Sequence, residues 1–202
     1  DPFMKIIAQG ISYLFHPLLI PLYGLFLIFN SNSVFSLIPE KVRLYCYGMT
    51  FITLFLVPLL SMLVFKKFKL ITSFDLELKQ ERIYPVLVTI FSAFLGFYLI
   101  GMVPYTNIVQ QLYLVLIIML SAFSIITMRW KISMHMTAAG AVCGFVSVLG
   151  LKYLGDVRPL LMLTLFVSGT LATCRLYLKK HNPAQIYAGF FFGLVFVVCI
   201  LY

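Results

Sequence analysis

Long apolar runs separated by short polar connectors make up almost the whole chain. They cover residues 6–29, 44–65, 85–103, 108–128, 133–151, 159–173 and 183–202. About 20 apolar residues in helical conformation cross the hydrocarbon of a bilayer. The pattern therefore predicts an all-α, polytopic integral membrane helix bundle of about seven transmembrane helices, with six also compatible. Asp1-Pro2-Phe3 before Met4 reads as a remnant, and residues 4–202 as a single membrane-embedded domain. His16-Pro17 and Pro21 interrupt the first run, which predicts a helix that is kinked or starts late. From Ile83 to Met128 there is no Asp, Glu, Lys or Arg, too long a stretch for one span. Met102-Val103-Pro104-Tyr105-Thr106-Asn107 supplies the turn that divides it. Residues 72–82 read as a short interfacial helix, with Asp75 four residues before Lys79 and Arg82 three after it. In the fifth run Ala138, Ala139, Gly140, Gly144 and Ser147 favour close helix packing.

Composition agrees with lipid as the solvent. Charged residues are 10% of the chain, against about a quarter in a soluble domain. The net charge is +9, from 15 Lys and Arg against 6 Asp and Glu. In a soluble protein such a balance would suggest nucleic acid. Here the cations lie between apolar runs and read as topology signals, as contacts to anionic membrane lipids, or as a phosphate site, with no nucleic-acid partner. Given seven spans, the chain start and residues 66–82, 129–132 and 174–182 share one side. The other side carries only Lys41, Arg43, Lys152 and Arg158. By the positive-inside rule the richer side would be cytoplasmic, although a phosphate site would be basic on either side. Cys46, Cys143, Cys174 and Cys199 sit in or at the ends of apolar runs without ligand spacing, so neither disulfides nor a metal site is expected. No cofactor is expected.

Two connectors carry candidate chemistry. Ser133 can cap the fifth helix and leave His135 in its first turn, where free N–H groups and the positive dipole end attract anions. As a bland alternative, this is a capping serine followed by an interfacial histidine. Farther on, Asn182, Pro183 and Gln185 form a capping-box pattern. That pattern accounts for those three residues and leaves Arg175 and His181 unexplained. An arginine presents a forked donor suited to phosphate. Lys179 and Lys180 read as interfacial charges, and His16 as a packing or interfacial residue.

Ser133-Met134-His135, followed by Arg175, five residues and His181, resembles the type 2 phosphatidic acid phosphatase superfamily, in a divergent bacterial-type form. That family's second motif is Pro-Ser-Gly-His. Its third is Ser-Arg, five residues, His, three residues, Asp. The phrase Pro183-Ala184-Gln185-Ile186-Tyr187-Ala188-Gly189 also resembles the stretch after the histidine. The resemblance covers roughly the last seventy residues well and the first half weakly. It implies a metal-independent phosphatase in which His181 is the nucleophile and His135 the acid. Arg175 and Ser133 would hold phosphate oxygens. The family's first motif is Lys, six residues, Arg-Pro. Its nearest counterpart, Lys79-Gln80-Glu81-Arg82-Ile83-Tyr84-Pro85, has the residue types without the spacing and offers Arg82 and Lys79 as further substrate contacts. Ile132, Met134 and Cys174 depart from the family's Pro, Gly and Ser. Gln185 stands where the family has the Asp that orients and charge-compensates the nucleophile.

The resulting expectation is an integral-membrane lipid phosphatase of a bacterial inner membrane. Its substrate partner would be a lipid phosphate or diphosphate, such as a polyprenyl diphosphate, phosphatidate or a phosphorylated glycolipid. Two alternatives stand beside it. One is a relative that binds lipid phosphate without hydrolysing it. The other is a transporter or channel, against which the lack of acidic residues within the spans counts.

Overall fold

The computed structural model describes residues 2–31, 33–74, 78, 80–153 and 156–202. Among the described residues the protein is all-helical, and six helices are long and apolar enough to cross a membrane: Glu40–Lys67, Gln80–Gly101, Asn107–Arg129, Met134–Lys152, Arg158–Tyr177 and Pro183–Leu201. It is a multi-pass membrane protein. Its contacts fall into two compact units. One comprises Asp1–Gly24, Asn30–Ser36 and Ile132–Tyr202, the other Leu25–Phe29 and Leu37–Lys131.

In the first unit, the opening apolar run is broken. Helix α1 spans Pro2–Leu14 and α2 spans Ile20–Asn30. Pro17 has no N–H to continue the ladder, and its ring clashes with the preceding turn. Pro21 is accommodated in the first turn of α2, where N–H groups have no intrahelical partner anyway. The other helices of this unit are α7 (Met134–Lys152), α8 (Arg158–Tyr177) and α9 (Pro183–Leu201). Their short connections make α8 antiparallel to its neighbours and place the starts of α7 and α9 side by side, where Ser133 N–H donates to the Gln185 carbonyl at 3.1 Å. Pro2 and Lys5 share a groove with Tyr177, Leu178 and Lys179 at that end. Phe35 packs on Tyr153 at the opposite end, ring centroids 4.9 Å apart. The interrupted run thus forms two pieces, each shorter than a span, and Leu25–Phe29 of the second piece belong to the other unit.

Helices α7 and α9 touch backbone to backbone. A Cβ on Gly144 would lie 2.6 Å from the Leu194 carbonyl oxygen, and one on Gly189 would lie 2.7 Å from the Ser133 carbonyl oxygen. Gly140 and Gly193 are blocked in the same way by the carbonyls of Phe190 and Thr137. Two Gly-x-x-x-Gly pairs therefore face each other, the geometry that small residues permit in lipid, where van der Waals contact drives helix association. Met136, Ala139, Leu171 and Ile186 form the apolar core beside this contact, with Ile11, Phe15, Ala172 and Phe190 packed on it.

The second unit contains α3 (Glu40–Thr50), α4 (Val57–Lys67), α5 (Ile83–Gly101) and α6 (Asn107–Arg129). A π-helical turn, Phe51–Leu56, joins α3 to α4, so the helix is continuous from Glu40 to Lys67. Pro58 explains the turn. It cannot donate to the ladder, and just before it Val57 N–H reaches back to the Ile52 carbonyl instead. Beside it, the Tyr113 hydroxyl meets Thr53 Oγ1 at 2.8 Å and Thr50 Oγ1 at 3.1 Å, while Ser92 donates to the Thr53 carbonyl at 2.6 Å. The expected turn between α5 and α6 is present. Tyr105 is left-handed there (φ 68), and Thr106 Oγ1 donates to Ile100 O and Val103 O, both at 2.7 Å.

The interfacial helix expected at 72–82 is not formed by its described residues. Only Gln80–Arg82 make a single 3₁₀ turn leading into α5. The Glu81 carboxylate accepts from Thr72 N–H at 2.9 Å and Thr72 Oγ1 at 3.2 Å, which ties the two ends of the segment together. Asp75, Glu77 and Lys79 lie outside the described residues.

Candidate functional site

The site is built where α8 ends and α7 and α9 begin. Helix α8 closes in a Schellman motif: Lys180 N–H donates to Arg175 O at 3.2 Å and Lys179 N–H to Leu176 O at 2.9 Å. Lys179 occupies the left-handed position at φ 53, where glycine is usual. The reversal brings His181 in immediately after the motif, nine-tenths buried and next to the cap of α9. Arg175, one turn back, is half-buried with its Nε inside the protein.

The capping box is complete. Asn182 Oδ1 accepts Gln185 N–H at 2.9 Å, and Gln185 Oε1 accepts Asn182 N–H at 3.3 Å. The same Gln185 oxygen lies 3.1 Å from His181 Nδ1. An amide oxygen only accepts, so Nδ1 is the protonated nitrogen of the His181 ring. In the neutral imidazole the lone pair then resides on Nε2.

Ser133 is fully buried and caps α7 by accepting Met136 N–H at 3.4 Å. That cap uses an oxygen lone pair and not the hydroxyl hydrogen. His135 follows in the first turn, and its Nε2 lies 3.2 Å from the Ser12 carbonyl oxygen of α1. A carbonyl only accepts, so His135 carries its proton on Nε2. The reason is visible in α1. In a continued helix the Ser12 carbonyl would receive His16 N–H, but that N–H turns to Tyr13 O at 3.2 Å. His135 takes up the carbonyl that the break before Pro17 leaves over.

His16 belongs to the same cluster. Its ring meets that of His135 edge to face, centroids 5.4 Å apart and planes at 85°. Its Nδ1 accepts Leu18 N–H at 3.3 Å. Arg175, His16 and His181 all lie within electrostatic reach of His135. The three histidines of the chain and Arg175 therefore form one constellation at one end of the first unit.

Five of the seven residues singled out from the sequence share that unit: Ser133, His135, Arg175, His181 and Gln185. Arg82 belongs to the second unit, where it is buried in the turn before α5, and Lys79 lies outside the described residues. Sequence reading passed over His16 as a packing residue. A signal was present, because an ionisable side chain inside an apolar run is costly unless it serves the protein. It also overlooked Gly189 and Gly193, whose spacing repeats that of Gly140 and Gly144.

Comparison of the chain with family models, with curated proteins and with solved structures finds no match in any of the three.

Proposed function

We propose that this protein is an integral-membrane phosphatase of lipid phosphates or diphosphates, working through a phosphohistidine on His181. The observation that carries the reading is the pinned His181 ring: Gln185 accepts its Nδ1–H, which leaves the lone pair of the neutral ring on Nε2. The Nε2 lone pair attacks phosphorus, forming the N–P bond as the bond to the leaving oxygen breaks. Arg175 suits two phosphate oxygens at once, and the Ser133 hydroxyl hydrogen suits a third. His135 gives the leaving oxygen its proton. Because its Nε2–H is committed to Ser12, the proton transferred is one that Nδ1 takes up from solvent when the anionic phosphate arrives beside the ring. Water then gives a proton to His135 Nδ1 and attacks phosphorus, forming a P–O bond as the N–P bond breaks, which releases phosphate and restores both rings. A polyprenyl diphosphate, phosphatidate or a phosphorylated glycolipid would bring its phosphate to this end of the helices with its tail in the bilayer. A bacterial inner membrane is the setting this substrate class suggests.

The test is phosphate release from a panel of such lipids by the purified protein, with a chelator present. His181→Ala should abolish release. Gln185→Glu keeps the side-chain length that the capping box and the 3.1 Å contact use, and adds the negative charge that stabilises an imidazolium. It should raise turnover by about 10- to 100-fold. Wild-type turnover in His181→Ala would refute the nucleophile.

One observation favours a second reading, binding without hydrolysis. Gln185 is neutral and already serves both the cap and His181. Headgroup binding with no release, in the wild type and in Gln185→Glu alike, would select it.

A further inference from the structure

We propose that His16 is a positioning residue for this site: from the break between α1 and α2, its ring sets the ring of His135. The inference rests on the phosphatase reading for its activity arm and on geometry alone for the rest. His135 is fixed in two ways, both supplied by the broken first helix. The Ser12 carbonyl at the end of α1 receives Nε2–H at 3.2 Å. The His16 ring, crossing at 85° with centroids 5.4 Å apart, blocks rotation about the remaining side-chain torsion. His16 is itself locked, because Leu18 N–H donates to its Nδ1 at 3.3 Å. That contact needs the non-helical backbone that Pro17 imposes. The break thus performs three linked tasks: it exposes the Ser12 carbonyl, turns His16 towards α7, and fixes the His16 tautomer. An acid that must deliver a proton to a leaving oxygen loses rate when its ring swings, since proton transfer requires hydrogen-bond reach.

Two substitutions separate the ring from the turn. His16→Asn retains an oxygen able to accept Leu18 N–H, as asparagine does in turns, and removes the ring. His16→Phe retains the ring edge and removes the acceptor. The readouts are the ¹⁵N shifts of the ring nitrogens in histidine-labelled protein in detergent, and lipid-phosphate turnover. In the wild type, and in His16→Phe, His135 should show the Nε2–H tautomer. In His16→Asn it should show a mixture of tautomers, with kcat lowered about tenfold and KM unchanged. An unchanged His135 signature in His16→Asn would overturn the proposal. So would a loss in His16→Phe as large as that in His16→Asn, which would make the turn and not the ring the operative feature. If no variant and no wild-type protein releases phosphate while the His135 signature responds as expected, the phosphatase reading fails and the positioning role stands.

Discussion

Gly193→Ala probes the link between helix packing and the site. A methyl group at Gly193 would strike the carbonyl of Thr137 and lie 2.8 Å from Ala141 N, both backbone atoms inside α7 that cannot turn aside. Ordinary contact begins at 3.4 Å, so α7 and α9 must part. In a helix interior free of neighbours, Ala is favoured over Gly by up to about 1 kcal/mol. Overpacking costs about 1–3 kcal/mol, and the net expectation is a loss of about 1–2 kcal/mol. Gly169→Ala in α8 is the control, since nothing lies within 4 Å of its Cβ position, and it should gain the propensity term. Thermal unfolding in detergent, followed by a thiol-reactive dye, suits this chain. Cys46, Cys143 and Cys174 are buried and Cys199 is exposed, so new labelling reports unfolding. At roughly 2–4 °C per kcal/mol for a chain of this size, Gly193→Ala should melt several degrees below Gly169→Ala. Separation of the helices should also break the Ser133 N–H bond to Gln185 O, so turnover should fall further than stability does. A Gly193→Ala protein that melts with or above Gly169→Ala would refute the backbone-contact argument.

Other substitutions test separate parts of the argument. Lys179→Gly removes the cost of a side chain at φ 53 and should stabilise the protein by about 1 kcal/mol; a lowered melting temperature would show that the lysine side chain matters more than the strain. Arg175→Lys should weaken binding of short-chain lipid phosphates in a titration by far more than Lys180→Ala, because only the guanidinium presents a fork; equal losses would indicate diffuse electrostatics. Tyr113→Phe deletes the hydroxyl shared with Thr50 and Thr53 and should cost about 0.6 kcal/mol, the scale of interhelical hydrogen bonds in lipid. No change in melting temperature would show that the two threonines satisfy one another.

What the sequence determines by itself is what the solvent dictates. Lipid leaves no partner for an open backbone, so long apolar runs must be helices, and their positions are legible from the charges and turns between them. Local chemistry is legible for the same reason: Asn182, Pro183 and Gln185 form their capping box, and Ser133 caps α7, because each involves groups within one helical turn. The interruption at His16-Pro17 was readable too, since proline acts on its own turn. The short helix expected at 72–82 was not realised in its described part, because Glu81 found a partner nine residues away in Thr72. Tertiary structure alone decided the rest. Which carbonyl His135 would meet depends on where α1 ends relative to α7, and Ser12 is 123 residues away in the chain. That Gly140 and Gly144 would face Gly189 and Gly193 depends on the rotation of two helices about their axes, which spacing within either helix does not specify. His16 joined the cluster through both effects. A local proline freed its backbone, and only the packing of the broken helix brought its ring to His135.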